Sequence, residues 1–225
     1  MLALIAAVAA LATAAAPSPP ERRCAAGETR AIVAARVVCL SDAAPCRVRH
    51  QERYRRYGFR CRNGLLDYDW RPLRRALRVP TIAAGAPCPA SASRANVAGA
   101  GLTIRAFGPG PAYPTADGGS GRAAIGLVWS PTEAPYLGWA GTKVLWTVPR
   151  YTGAVLIRGR QVDGTTGVGF DLGPQWTHTV LPELKFVGPH PLRPAATFVR
   201  SPGCYAYQVD TFRSSYLIVF EAKLV

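Results

Sequence analysis

The chain has 225 residues, 49% of them apolar, and a formal net charge of +14. That length fits one large domain or two small ones, and the apolar share is enough to bury a core. No segment is both long and apolar enough to cross a bilayer, which needs about 20 such residues, so a transmembrane segment is not expected.

Met1 to Ala16 is an unbroken run of apolar and small residues, followed by Pro17 to Pro20. It reads as a signal peptide over 1–20, with Ala14 to Ala16 supplying the small residues that signal peptidase takes. Cys24 follows Glu21, Arg22 and Arg23, unlike an acylated cysteine, which follows small or aliphatic residues. The expected location is secreted or in the cell envelope. Cysteines remain at 24, 39, 46, 61, 88 and 204, and an even number behind an export signal points to disulfides. There is no Cys-x-x-Cys, and His50, His178 and His190 lie far apart in the sequence, so no metal site is expected.

Residues 21–70 read as a small, basic, Cys-rich α+β module that needs covalent staples to stand beside its modest core. Residues 21–80 hold 15 arginines against six acidic residues, whereas 81–225 hold 12 basic against seven acidic. Cys46 to Tyr57 predicts a short helix, with Pro45 at its first turn, Gly58 as its cap and Glu52 paired to Arg56. Asn63-Gly64 between two alternating runs predicts a hairpin. Helix followed by hairpin brings Cys46 back to Cys61, and closing a loop of about 15 residues contributes roughly 3 kcal/mol in the chain-entropy view. Cys24 with Cys39 would close a similar loop, which leaves Cys88 for Cys204.

Residues 71–122 read as a connector and irregular edge, because prolines and glycines there exclude long helices. Over 123–225, seven or eight short runs rich in Val, Ile, Tyr, Phe and Trp alternate with turn residues. They predict an immunoglobulin-like antiparallel β-sandwich, making the chain all-β after its stapled module.

The strings VLWTVPRYTGAVLIRGRQVDG, ending at Gly164, and SPGCYAYQVDTFRSSYLIVFEA resemble an uncharacterised family of exported proteins from high-GC bacteria. The resemblance reaches back to VPTIAAGAPCP at Val79. CRVRHQERYRRYGFRCRNGLL resembles a small Cys-to-Cys module of exported proteins from the same bacteria. The resemblance implies export and the sandwich fold, and it brings no activity and no functional residue.

The Arg and Tyr cluster that includes Arg53, Arg55, Arg56 and Arg60 suits a polyanion, because guanidinium forks match phosphate and carboxylate while tyrosines stack on rings. The same run fits a solvated helix face in a GC-rich genome. Arg158 and Arg160 alternate around Gly159 along a strand and would line either a ligand groove or the wet face of a sheet. Of the tryptophans at 129, 139, 146 and 176, Trp139 between Gly138 and Ala140 is the best candidate for an exposed glycan platform, and Trp146 suits the core. Tyr205 and Tyr207 beside Cys204 suggest packing around a disulfide between sheets.

No G-x-S-x-G, H-E-x-x-H, P-loop or G-x-G-x-x-G is present. Neither catalytic residues nor a small-molecule cofactor are therefore expected. The leading expectation is a non-catalytic binding protein whose partner is a polyanion or wall glycan. A module that meets another exported protein is the alternative, and a hydrolase using His178 with two of Asp163, Asp171, Glu183 and Asp210 comes third.

Overall fold

The computed structural model describes residues 23–25, 28–83, 85–99, 102–115, 122–132, 134–172, 178–188 and 190–225. The expected signal peptide at 1–20 and Trp176 lie outside the described residues.

The basic region opens with an antiparallel hairpin of β1 (Thr29–Val33) and β2 (Arg36–Leu40), and Cys24 is bonded to Cys39 on its second strand. Val48–His50 makes a 3₁₀ turn and Gln51–Arg55 a short helix, α1. The helix is shorter than the stretch Cys46 to Tyr57 suggested, for a local reason. The Cys46 amide donates to the Gly64 carbonyl at 2.7 Å, and Pro45 bridges to Leu65, so the chain is still paired as a strand where the helix was expected to begin. Within α1, Glu52 pairs with Arg55 at 2.6 Å rather than with Arg56. β3 (Phe59–Arg62) and β4 (Leu65–Tyr68) form the expected hairpin, with Asn63 and Gly64 at φ of 50° and 79°, the positive values a type I′ turn needs. Cys46 is bonded to Cys61, fastening the start of the helical segment to this hairpin.

Beyond a 3₁₀ turn at Arg71–Leu73 and the loop that follows it, the regular elements described are strands. β5 (Ser93–Gly99) pairs with β6 (Leu102–Phe107) with a register shift between Arg94 and Val97, and the two-residue β7 (Tyr113–Pro114) lies at the edge of a larger sheet, as expected of loops and irregular edge strands. The remaining strands are β8 (Ala124–Leu127), β9 (Ala140–Val148), β10 (Ala154–Gln161), β11 (Gly169–Leu172), β12 (Leu184–Val187), β13 (His190–Val199), β14 (Gly203–Thr211) and β15 (Ser215–Leu224). One sheet has the order β12-β10-β14-β15-β8 and another β11-β13-β9-β7. β15 pairs with β8 in parallel, a departure from the antiparallel expectation. Nothing forces the opposite direction there, since no hairpin turn joins strands so far apart in the chain. The two sheets share one core, in which the Trp146 ring of β9 lies 5.2 Å from that of Tyr207 on β14.

Alternation along β10 and β14 divides their side chains between two environments. Val155, Ile157, Tyr205, Tyr207 and Val209 face the shared core. Ala154 and Leu156 point the other way, into a second cluster that contains Val33, Leu40, Tyr54, Phe59, Leu66 and Leu73 of the basic region. The module therefore completes its core on the outer face of the sheet.

The connector continues this cover. Arg158 donates to the Arg75 carbonyl, Gln208 to that of Ala76 at 3.1 Å and Arg160 to that of Val79 at 2.9 Å, while the Arg78 amide donates to Gln208 at 2.7 Å. Cys88 is bonded to Cys204 at the far end of this strap. All three disulfides thus join the pairs that the spacing suggested. Cys204 packs with Val79, Val162 and Ala206 on the outer face, whereas Tyr205 and Tyr207 belong to the core on the other side. The Cys88–Cys204 bond consequently ties connector to sheet and does not bridge the two sheets.

Candidate functional site

The arginines of the basic region include one group that is ion-paired and another that gathers around a cleft. Arg55 is paired to Glu52, Arg60 grips Asp67 through two nitrogens at 2.9 and 2.7 Å, and Arg71 does the same to Asp69. Arg74 holds Glu183 by two bonds of 2.8 and 3.0 Å. That contact, with Lys185 at 2.8 Å from Oε2, lowers the Glu183 carboxyl to about 2. Arg75 reaches the fully buried Asp210 at 3.8 Å. In these arginines, ion pairing already satisfies the charge.

A second group surrounds a cleft of about 750 Å³ between the β1–β2 hairpin and the segment that leads into α1. Its floor is apolar, formed by Val33, Leu40, Tyr54 and Leu66 of the module core. Its rim carries Arg36, Arg47, Arg49 and His50, and no aspartate or glutamate among the described residues lines it. The Arg47 amide donates to the Tyr54 hydroxyl at 3.3 Å, and Arg49 donates to a His50 ring nitrogen at 3.4 Å, which orients the rim. None of the three rim arginines has a carboxylate partner among the described residues. Three guanidiniums converging on one concavity raise the local positive potential, a ready setting for phosphate or carboxylate groups.

The structure distributes the expected binding residues unevenly around this cleft. Arg53 and Arg56 are exposed near α1 without a carboxylate partner, while Arg55 and Arg60 are ion-paired. None of the four lines the cleft. Arg36 was missed because it lies on the first hairpin, at a distance in sequence from the Arg-Tyr run. The signal that could have found it is a basic residue opening the strand that ends beside Cys39, within the loop closed by Cys24 and Cys39.

Arg158 and Arg160 are engaged with chain that crosses their face of the sheet. Arg158 is bonded to Asp210 at 2.8 Å as well as to the connector, and Arg160 also holds the connector backbone. The outer face they occupy is covered by chain that the alternation pattern alone does not reveal. Trp139 is likewise engaged, because the Arg200 guanidinium sits 3.7 Å above its ring, a cation–π contact. Trp146 is fully buried. Trp129 stacks at 5.7 Å on Phe198.

The groups named for hydrolysis do not assemble. Asp171 is buried and accepts bonds from the Tyr136 hydroxyl at 2.9 Å and from the His178 amide at 3.1 Å, so it meets His178 through backbone. Desolvation, followed by this bond to Asp171, pushes the Tyr136 phenol up to about 12. Asp163 accepts from the Cys204 amide at 3.1 Å, Asp210 is sealed beneath the connector, and Glu183 is clamped by Arg74 and Lys185. Cys24, Glu28 and Cys39 lie within ligand spacing of one another, but the two sulfurs are bonded together and are not thiolates.

No protein-family model matches the chain, and no curated protein matches it. Among solved structures, the crystal structure of a "putative lipoprotein" from Bacillus anthracis is similar at 10% identity and a TM-score of 0.39. The match covers 60% of this chain and 88% of that one.

Proposed function

We propose that this is an exported, non-catalytic binding protein of the cell envelope or extracellular space, and that its basic cleft takes a polyanion or an anionic wall glycan. The observation that carries this reading is the cleft rimmed by Arg36, Arg47, Arg49 and His50, with no acidic residue among the described ones that line it. Guanidiniums held around one concavity repel one another, and an entering polyanion relieves that repulsion while releasing counterions. Arg55, Arg60, Arg71, Arg74 and Arg75 have carboxylates of their own, whereas the arginines of this rim have none among the described residues.

Three disulfides suit an oxidising compartment. No helix among the described residues is long and apolar enough to cross a membrane. The resemblance to exported proteins of high-GC bacteria agrees with this placement. We read the two-sheet body as immunoglobulin-like, supported by the Tyr205 hydroxyl donating at 2.8 Å to the Ser201 carbonyl four residues upstream, as in the tyrosine corner of such sandwiches. In this reading 21–70 is the binding module, 71–122 straps it to the body and 123–225 is the supporting sandwich.

The test is retention of the intact, oxidised protein on immobilised DNA, acidic polysaccharide and insoluble cell wall, over salt from about 0.05 to 0.5 M where screening changes most. Deleting the module would strip Leu156 of its cover, so the comparison uses Arg36→Gln/Arg47→Gln/Arg49→Gln in the full chain. Retention should be salt-sensitive and should weaken sharply in the triple variant. Retention on none of the supports would sink the reading.

A further inference from the structure

A second concavity, of about 460 Å³, lies where the module meets the body. Its walls come from the turn after α1, from the β9–β10 turn and from the β14–β15 turn, regions far apart in sequence. They are held firmly. Gly58, at φ 85°, closes the first turn, and a Cβ placed there would lie 2.9 Å from the Phe212 ring, so only glycine permits this approach. Arg75 pins the β14–β15 turn from beneath, donating to the carbonyls of Ser214 at 2.6 Å and Phe212 at 3.2 Å. Inside that turn the Thr211 hydroxyl accepts the amides of Arg213 at 3.3 Å and Ser214 at 3.0 Å. The backbone that aims Arg213 is therefore set before any ligand arrives.

One arginine comes from each wall: Arg56, Arg150 and Arg213. All three are exposed, and among the described residues no aspartate or glutamate lines the cavity and none of the three is ion-paired. Arg55, one position before Arg56, has Glu52. Between the arginines stand the half-buried rings of Tyr57, Tyr151 and Phe212. Burial raises the Tyr151 phenol, which keeps it uncharged at neutral pH and adds no negative charge to oppose an anion. The volume is near the lower end for small-molecule sites. Guanidinium forks suit an oxyanion, and aromatic walls suit the apolar faces of a sugar ring.

We propose that this junction cleft binds one anionic saccharide unit, with its phosphate, sulfate or carboxylate on Arg56, Arg150 and Arg213 and its ring against Tyr57, Tyr151 and Phe212. The site is separate from the module cleft and does not depend on what that cleft binds. Because its walls belong to both module and body, occupancy also fastens the two together.

The experiment is calorimetric titration of the intact, oxidised protein with glucose 6-phosphate, glucuronate, inorganic phosphate and glucose at about 0.05 M salt, where screening is weak. The two charged sugars should bind, inorganic phosphate more weakly than glucose 6-phosphate, and glucose not measurably. Arg150→Gln/Arg213→Gln should weaken binding of the charged sugars by roughly tenfold or more, and Arg56→Gln by less. Both changes are at exposed side chains, so the thermal midpoint should stay in place. Arg47→Gln/Arg49→Gln, in the other cleft, should leave the affinity unchanged. The proposal is overturned if neither charged sugar binds, if binding survives the junction variants, or if it is lost with the module variant instead. Inorganic phosphate binding as tightly as glucose 6-phosphate would overturn the saccharide assignment, and glucose binding equally well would overturn the anion assignment.

Discussion

The two faces of the β10–β14 pair make opposite uses of the same alternating strands. On the inner face, Val155, Ile157, Tyr205, Tyr207 and Val209 pack into a dry core between sheets. On the outer face, Leu156 is equally buried but under the module, and Arg158, Gln208 and Asp210 form a polar clasp that holds the connector backbone. The inner face is held by area removed from water and tolerates small adjustments in packing. The outer face depends on matched charges and hydrogen bonds, so removing one partner leaves others buried and unsatisfied. The module is thus seated on the sheet by apolar contact, and the connector that follows it is held by a clasp built on a buried ion pair.

The sharpest way to break this comparison is Asp210→Ala. Asp210 is fully buried and serves both Arg158 and Arg75, so its loss should cost about 3–5 kcal/mol, as removal of one partner of a buried pair does. Chemical denaturation should read that loss, and a change below about 1 kcal/mol would show that the clasp does not hold the connector. Leu156→Ala should cost about 2–4 kcal/mol through the cavity it leaves. Hydrogen exchange in that variant should rise first in β3 and β4, before β9 and β13, because the cavity opens on the module side.

The smallest effect concerns Glu183. Its carboxyl is held at about 2 in the folded protein by Arg74 and Lys185, below its ordinary 4.5. A lowered folded value stabilises the protein above pH 4.5 and loses that contribution as pH falls from 4.5 toward 2. Arg74 is nearly half exposed, so the contribution is at most about 1 kcal/mol. Glu183→Gln should remove this part of the acid-side decline, and an unchanged pH profile would argue that the pair contributes nothing.

Much of the local structure was legible in the residues. Asn63-Gly64 required its turn, the cysteine spacings matched the bonds formed, and the position of Trp146 among aliphatic residues matched its burial. What escaped was everything decided by distant chain. Alternation around Gly159 shows that Arg158 and Arg160 share a face, yet it is blind to the connector that covers that face. Helical spacing through Cys46 and His50 competes with the pairing of Pro45 and Cys46 to the hairpin, and the pairing prevails because it satisfies backbone groups that the helix start would leave open. Arg36 joins Arg47 and Arg49 only because a hairpin and a disulfide fold it back. The cleft is therefore a product of the staples as much as of the basic run.

The central claim is that unpaired arginines around the module cleft, rather than total positive charge, bind a polyanion. The most direct measurement is the salt dependence of duplex DNA binding for the wild type, for Arg36→Gln/Arg47→Gln/Arg49→Gln and for the charge-matched control Arg105→Gln/Lys143→Gln/Lys223→Gln. Each phosphate contact adds roughly 0.9 to the slope of log affinity against log salt. The cleft variant should lose about two to three units of slope while the control stays near the wild type. Equal losses in both variants would mean that only net charge matters, and would contradict the claim.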